Sequence, residues 1–288
     1  MICMARLRII AQRFRRELFA NIRCKMTDSR DHIEVTASHN RQDLICPAVV
    51  TEVSQLSQTV RGITIKVDNP QFYFKAGQWL DIFIPGVEEI GGFSISSSPC
   101  KLGKLREIDL AVKNAKKAPA HWFHTQCRVG STLDVRAGGD FYLETTHNRC
   151  DNLLLIGGGV GINPLASILQ YCADLNRAGD PIAPQKVLLV YSACKEDELL
   201  FRDKFLSISE ELPGVQCRYF ITRETCRNTK LSSENSRIKA NHIEDALTWL
   251  GKDVTSYICG PLAMINDMVT ILESLNISKD KLKYEKWY

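Results

Sequence analysis

Two glycine turns carry the residue types that point most directly to chemistry. In Gly157-Gly158-Gly159-Val160-Gly161-Ile162-Asn163-Pro164, four glycines precede an asparagine and a proline. Glycine has no Cβ, so this backbone can turn sharply and let a ligand approach its N–H groups. Asn163 suits an N-cap, and Pro164 suits the first helical position, where a missing N–H costs nothing. A glycine turn leading into a free helix N-terminus binds a pyrophosphate such as that of a dinucleotide. The spacing is G-G-G-x-G-x-x-P, not G-x-G-x-x-G, and a tight turn with no ligand would read the same way. The second turn, Cys259-Gly260-Pro261, repeats the arrangement well downstream with a cysteine at its lip. Metal chemistry finds little support. The eleven cysteines form no C-x-x-C pair, and His121-x-x-His124 has no third ligand in view, so ordinary helix residues are the plainer reading of that pair.

These turns need elements to hold them. Leu153-Leu154-Leu155-Ile156 is an unbroken apolar run, the pattern of a parallel strand buried on both faces. After Pro164, residues Leu165, Ile168, Leu169, Cys172 and Leu175 fall on one helical face, and Gly179 ends the helix. Further strands are expected at Lys186–Tyr191, Val215–Thr222 and Ser256–Cys259, with helices at Asp197–Ser209, His242–Leu250 and Pro261–Leu275. Strand and helix alternate throughout this half, as in a parallel sheet covered on both faces. The preceding half reads differently. Short strands are expected at Pro47–Val53, Val60–Val67, Gln78–Ile84, Phe93–Ser97, Ile108–Lys113 and Thr132–Arg136, with one helix entering at Pro119. Alternation in Trp79-Leu80-Asp81-Ile82-Phe83-Ile84 suggests a sheet with one buried face, and the whole suggests a small antiparallel barrel.

The first 25 residues hold six arginines, one lysine and one acid, Glu17, with apolar residues at helical spacing. That is the composition of a mitochondrial presequence, or else of a solvated basic helix that stays with the protein. The expected organisation is therefore a presequence at 1–25, a polar linker at 26–45, a barrel at 46–148 and a nucleotide domain at 149–288. A net charge of +4, partly lodged in that first stretch, gives no footprint for nucleic acid. No apolar run reaches the roughly 18–20 residues of a membrane-spanning helix.

With both glycine turns, Tyr191-Ser192-Ala193, Glu198-Leu199-Leu200-Phe201 and the ending Glu285-Lys286-Trp287-Tyr288, the chain resembles the ferredoxin–NADP reductase superfamily. The resemblance covers about residues 46–288. It implies an antiparallel Greek-key β-barrel that binds FAD, followed by an α/β parallel-sheet domain that binds NAD or NADP. It further implies hydride transfer from the nicotinamide to the flavin, and electrons passed on to an unidentified acceptor, small molecule or protein. Ser94 would bond near the flavin's reacting nitrogen, and Phe93 would pack on its ring. Trp287 or Tyr288 would cover the other face. Cys259 would lie near the hydride-donating carbon, and Glu285 would balance protons. Residues 157–164 with 259–261 would cradle the nucleotide, and Thr222-Arg223 would meet a 2′-phosphate. The family's barrel motif Arg-x-Tyr-Ser reads Gly91-Gly92-Phe93-Ser94 here, and its Gly-x-x-Ser helix entry reads Lys117-Ala118-Pro119-Ala120. A charged partner for the flavin pyrophosphate is thereby lost. The competing expectation is a nucleotide-binding redox sensor or interaction protein with a degenerate flavin site.

Overall fold

A computed structural model describes residues 32–144, 151–225 and 232–286. The expected presequence, Trp287 and Tyr288 lie outside the described residues. A single turn, α1 (His32–Val35), leads into β1 (Cys46–Ser57), β2 (Val60–Lys66), β3 (Trp79–Phe83) and β4 (Gly91–Ser94). Then come α2 (Pro99–Leu105), β5 (Glu107–Lys113), α3 (Ala118–Thr125) and β6 (Thr132–Gly138). The six strands pair antiparallel in the order β4-β3-β6-β1-β2-β5. A bridge between Ile95 and Leu110 joins the two edges, so the sheet closes into the expected barrel. Alternation fills it: Ile63, Ile65, Leu80, Ile82, Leu110 and Val135 share one core. The helix α2 was not expected. It is started by Ser98, whose side chain accepts from the Cys100 N–H, with Pro99 in the first turn.

The second half runs β7 (Asn152–Gly158), α4 (Ile162–Arg177), β8 (Val187–Ala193), α5 (Arg202–Glu211), β9 (Val215–Ile221) and β10 (Ser233–Glu234). It continues with α6 (Ala240–Leu250), β11 (Val254–Cys259), α7 (Leu262–Ser274) and β12 (Leu282–Glu285). All six strands are parallel, in the order β10-β9-β8-β7-β11-β12. The apolar run of β7 splits as a central strand must. Leu153 and Leu155 join the core under α4, while Leu154 and Ile156 join the core under α6 and α7. From β7 the chain winds outward through β8 and β9, then returns to place β11 on the other side. The crevice between the ends of β7 and β11 is therefore a topological switch point, where open parallel sheets bind ligands. Both glycine turns sit there. Among the described residues no helix is long and apolar enough to cross a membrane.

Three expected helix starts move by two residues or more, that of α6 from His242 back to Ala240. The helix expected from Asp197 begins at Arg202, because Glu196–Glu198 form a 3₁₀ turn and Phe201 adopts a positive φ of 60°. The buried Tyr191 hydroxyl dictates this: it lies 3.0 Å from the Glu198 carbonyl and accepts from the Leu200 N–H at 3.3 Å. The helix after the glycine turn begins at Ile162, with no side-chain cap, so Asn163 is not the N-cap.

The stretch expected as a linker is docked on the barrel from His32 onward. Leu80 and Ile82 point inward, so Trp79 and Asp81 belong to the outer face of β3, yet both are fully buried. Segment 32–42 covers them. Gln42 N–H donates to Ala137 and Gly139 N–H to Asn40, each at 2.9 Å, laying the segment along the end of β6. Beneath it Asp81 meets three bases: His32 Nε2 at 3.0 Å, Arg41 Nε at 2.9 Å and the Arg136 guanidinium at 2.7 Å. Burial alone would raise the Asp81 pKa, but hydrogen bonds from His32, Arg136 and Arg41 outweigh it and hold the carboxyl below the usual range. A carboxyl whose pKa is lowered by folding stabilises the fold above its unfolded pKa, and that contribution is lost as pH falls through the folded value. Asp81→Asn should therefore cost about 2–3 kcal/mol in urea unfolding at neutral pH, leaving two partly buried guanidinium groups short of a partner. The deficit should shrink as the pH drops below the ordinary carboxylate range. A deficit independent of pH would show that the charge is not what holds the segment.

Candidate functional site

A cleft of about 1040 Å³ runs between the barrel and the parallel sheet. Its sheet wall is the two glycine turns: Gly158, Gly159, Val160, Gly161 and Asn163 from one, Gly260 and Pro261 from the other. Its barrel wall includes Trp79, Gly91, Gly92, Phe93 and Ser94, and Glu285 of β12 also lines it. Register explains why these residues meet. Gly157, Cys259 and Glu285 are level with one another across β7, β11 and β12, so the strands end together and their turns open at one lip.

The glycine turn is packed from below and open above. A Cβ on Gly161 would lie 2.5 Å from the Cys259 carbonyl oxygen and 2.6 Å from the Gly260 nitrogen, both main-chain atoms. Gly159 instead has a φ of +55° and nothing within 4 Å of where a Cβ would be. Close approach below and bare backbone above is what a pyrophosphate cradle needs. Tyr191 braces the turn from the side, its hydroxyl 3.1 Å from the Gly159 carbonyl. That single group joins the Tyr-Ser-Ala and Glu-Leu-Leu-Phe stretches, whose connection spacing alone does not reveal.

Asn163 has a different task from the expected one. Its Nδ2 donates to the Ala111 carbonyl of the barrel at 2.8 Å, and its Oδ1, buried at the cleft wall, has no partner among the described residues. One turn further, Ser167 Oγ donates to the Ser97 carbonyl at 2.7 Å, and Gln170 Nε2 to the Ser96 carbonyl at 2.6 Å. The i, i+4, i+7 spacing puts all three on one side of α4, facing the barrel. Trp79 Nε1, a buried donor on the opposite wall, is likewise without a partner. An orphan acceptor and an orphan donor on a cleft of dinucleotide size fit bound polar groups.

The remaining expected residues divide. Gly157 belongs to β7, while Ile162 and Pro164 are buried at the start of α4, beneath the cradle and not on its wall. The Cys259 side chain is fully buried in the core under α4, and the residue does not line the cleft, which Gly260 and Pro261 reach instead. Thr222 and Arg223 stand exposed beyond β9, their N–H groups donated to Ala193 and Cys194, and do not line the cleft. His124 is a helix residue whose ring bonds the Val112 carbonyl at 2.8 Å.

At the barrel's end of the cleft, Phe93 packs edge to face on Phe123, with centroids 5.2 Å apart. A Cβ on Gly91 would fall against the Phe93 ring and 2.7 Å from Pro119 Cβ. Phe93 and Pro119 thus occupy the space that a side chain at position 91 would take. The N-terminus of α3 has no side-chain cap from Lys117; its Ala118 N–H donates to the Glu89 carboxylate at 3.2 Å. An anion is already at the helix start.

Residues 155–270 match the family described as the oxidoreductase NAD-binding domain. The chain is 40% identical over 272 residues to oxidoreductase NAD-binding domain-containing protein 1 of Danio rerio, covering 91% of this chain and 100% of that protein. It is 26% identical over 243 residues to the 2-halobenzoate 1,2-dioxygenase electron transfer component of Burkholderia cepacia, covering 83% of this chain and 66% of that one. The fold is similar to a ferredoxin NADP+ reductase from Neisseria gonorrhoeae with bound FAD and NADP. That likeness has a TM-score of 0.68 at 17% identity, over 85% of this chain and 99% of the other.

The two glycines should respond differently. Gly159→Val should weaken NAD(P)H binding at least tenfold, about 1.4 kcal/mol, while costing only the 1–2 kcal/mol of a left-handed backbone in stability. Gly161→Ala should lose binding and unfold more easily, because its neighbours are main chain. Calorimetric titration with thermal melts checks both, and equal stability losses would contradict the packing described.

Proposed function

The chain belongs to the family of oxidoreductase NAD-binding domain-containing protein 1, and we propose that it is a flavin-dependent oxidoreductase that draws hydride from NAD(P)H. The carrying observation is that the nucleotide cradle and the Phe93-Ser94 strand line one continuous cleft. When bound, the nicotinamide supplies a hydride and the flavin accepts it, with one proton, as two-electron carriers. The chain's own residues orient and shield that exchange. In this reading the turns at 157–161 and 259–261 hold the pyrophosphate by main-chain N–H groups, and Asn163 Oδ1 accepts from a polar N–H of a bound ligand. Ser94, paired across the ladder with the buried Trp79, offers its hydroxyl to the flavin ring. Glu285, buried and lining the cleft, is the candidate proton-balancing group. Thr222 and Arg223 are candidates for a 2′-phosphate, reached beyond the cleft. Electrons then leave to an acceptor, a role in keeping with the electron transfer component among the relatives.

The phosphate end of the barrel favours weak flavin retention. Gly91 supplies no guanidinium, and Glu89 places a carboxylate where a phosphate would meet the start of α3. The same two features favour the alternative of a nucleotide-binding sensor with a degenerate flavin site. Fluorescence titration separates them. FAD should bind the purified protein in the micromolar range, and Glu89→Gln should tighten FAD about tenfold while leaving riboflavin, which has no phosphate, unchanged. No FAD binding by either form would favour the sensor. Mitochondrial residence is also proposed, from the acid-poor basic composition of residues 1–25. A reporter fused to residues 1–30 should enter mitochondria, and a purely cytosolic signal would refute it.

A further inference from the structure

Alternation assigns Trp79 and Asp81 to the outside of the barrel, where a strand facing a cleft would present them to solvent. Both are instead sealed by segment 32–42. That segment is fitted to its seat from both neighbouring strands. His32 stacks edge to face on Trp79, with centroids 4.7 Å apart, and Arg41 lies over the same ring at 4.8 Å. A Cβ on Gly92, the residue paired with Asp81 across β3 and β4, would fall within the His32 ring. A Cβ on Gly138 would lie 2.9 Å from Arg41 Cγ and 2.7 Å from the Trp79 ring. The two strands flanking β3 thus carry glycine where the segment and its tryptophan lie.

Val35, Thr36 and His39 of the segment line the cleft beside Gly92 and Ser94. With the segment docked, the cleft still measures about 1040 Å³, above the range that holds a drug-sized ligand. The segment is therefore a wall and not a plug. We infer that residues 32–42 form a built-in wall of the flavin groove, and that Asp81 is a positioning residue which acts on that groove by locking the segment through His32 and Arg41. This inference rests on the flavin reading of the cleft. A bare β4, Gly91-Gly92, gives a bound ring little to lean on at this edge, and the segment supplies the missing surface. Arg41 also donates to the Thr36 carbonyl at 2.7 Å and to the Thr36 hydroxyl, so the ion pair holds the part of the segment that faces the cleft.

The test displaces the segment in two ways in the full chain. Gly92→Ala wedges a methyl under His32 without altering any charge. Arg41→Met keeps the stem over Trp79 and removes the bond to Asp81. Hydrogen exchange of peptides covering residues 39–43 and 138–140 reads docking through the Gln42 and Gly139 amides. FAD titration with visible circular dichroism reads the ring's surroundings. Both variants should speed exchange in those peptides, weaken FAD at least tenfold and diminish the visible dichroism of the bound flavin. Faster exchange with unchanged FAD affinity and dichroism would overturn the inference by making the segment a mere cover. Tighter FAD would overturn it by making the segment an obstruction. Unchanged exchange in both variants would show that these contacts do not hold it. A parent protein that binds no FAD would bring down the flavin reading itself, whereas binding in the parent with no change in the variants would bring down only the role of the wall.

Discussion

One polar stripe on α4 joins the two halves of this protein, across a seam where Val60, Ala76 and Phe141 also share an apolar core with the parallel-sheet half. Asn163, Ser167 and Gln170 donate to the carbonyls of Ala111, Ser97 and Ser96, groups that the barrel's own ladders leave available. Each bond is worth about 1 kcal/mol net, so the sum is modest, yet breaking any one strands a buried polar group at greater cost. The helix that carries them also begins at the glycine turn. Whatever seats α4 on the barrel therefore seats the nucleotide cradle opposite Phe93 and Ser94. The cleft is a consequence of that registration. A cofactor pair that must meet at van der Waals distance needs both partners placed to a fraction of an ångström, and an amphipathic helix with one apolar and one carbonyl-reading face does so.

The two ends of the cleft are built on different principles. The nucleotide end is nearly all main chain: a turn packed against the Cys259 carbonyl, braced by a tyrosine hydroxyl whose pKa burial pushes well above its ordinary value. Main-chain N–H groups hold phosphate without side-chain entropy and tolerate no added Cβ. The barrel end depends on side chains and on a segment from outside the barrel. There Phe93 has folded toward Phe123, Glu89 caps α3, and the ion cluster at Asp81 secures the wall. Such an end holds a ring better than a phosphate.

Much of this was legible in the residues. The apolar run 153–156, the closing glycine turns and the alternation in β2 and β3 follow from local periodicity, and they gave both layers of the fold. Ser94 and Glu285, which the resemblance singles out, both line the cleft. What escaped had non-local causes. The burial of Asp81 was not foreseen, because nothing in β3 announces that residues 32–42 will cover it. Asn163 looked like an N-cap, since a capping bond and a bond across to Ala111 require the same side chain. Phe201 takes a left-handed backbone that its type resists, because the Tyr191 hydroxyl fixes the turn before it. For Asp81 and Asn163 the partner lies far away in sequence, and for Phe201 it lies on the preceding strand; only packing brings each pair together.

If NAD(P)H and flavin come within reach of each other in this one cleft, hydride should pass between them. Anaerobic stopped-flow mixing of FAD-reconstituted protein with NADH or NADPH, followed through the flavin absorbance band, reads that transfer. Saturable bleaching of the flavin is expected at a rate far above that of free FAD, slowed when the transferred hydrogen is replaced by deuterium. Tight binding of both cofactors with no bleaching beyond the rate of free FAD would rule the shared cleft out.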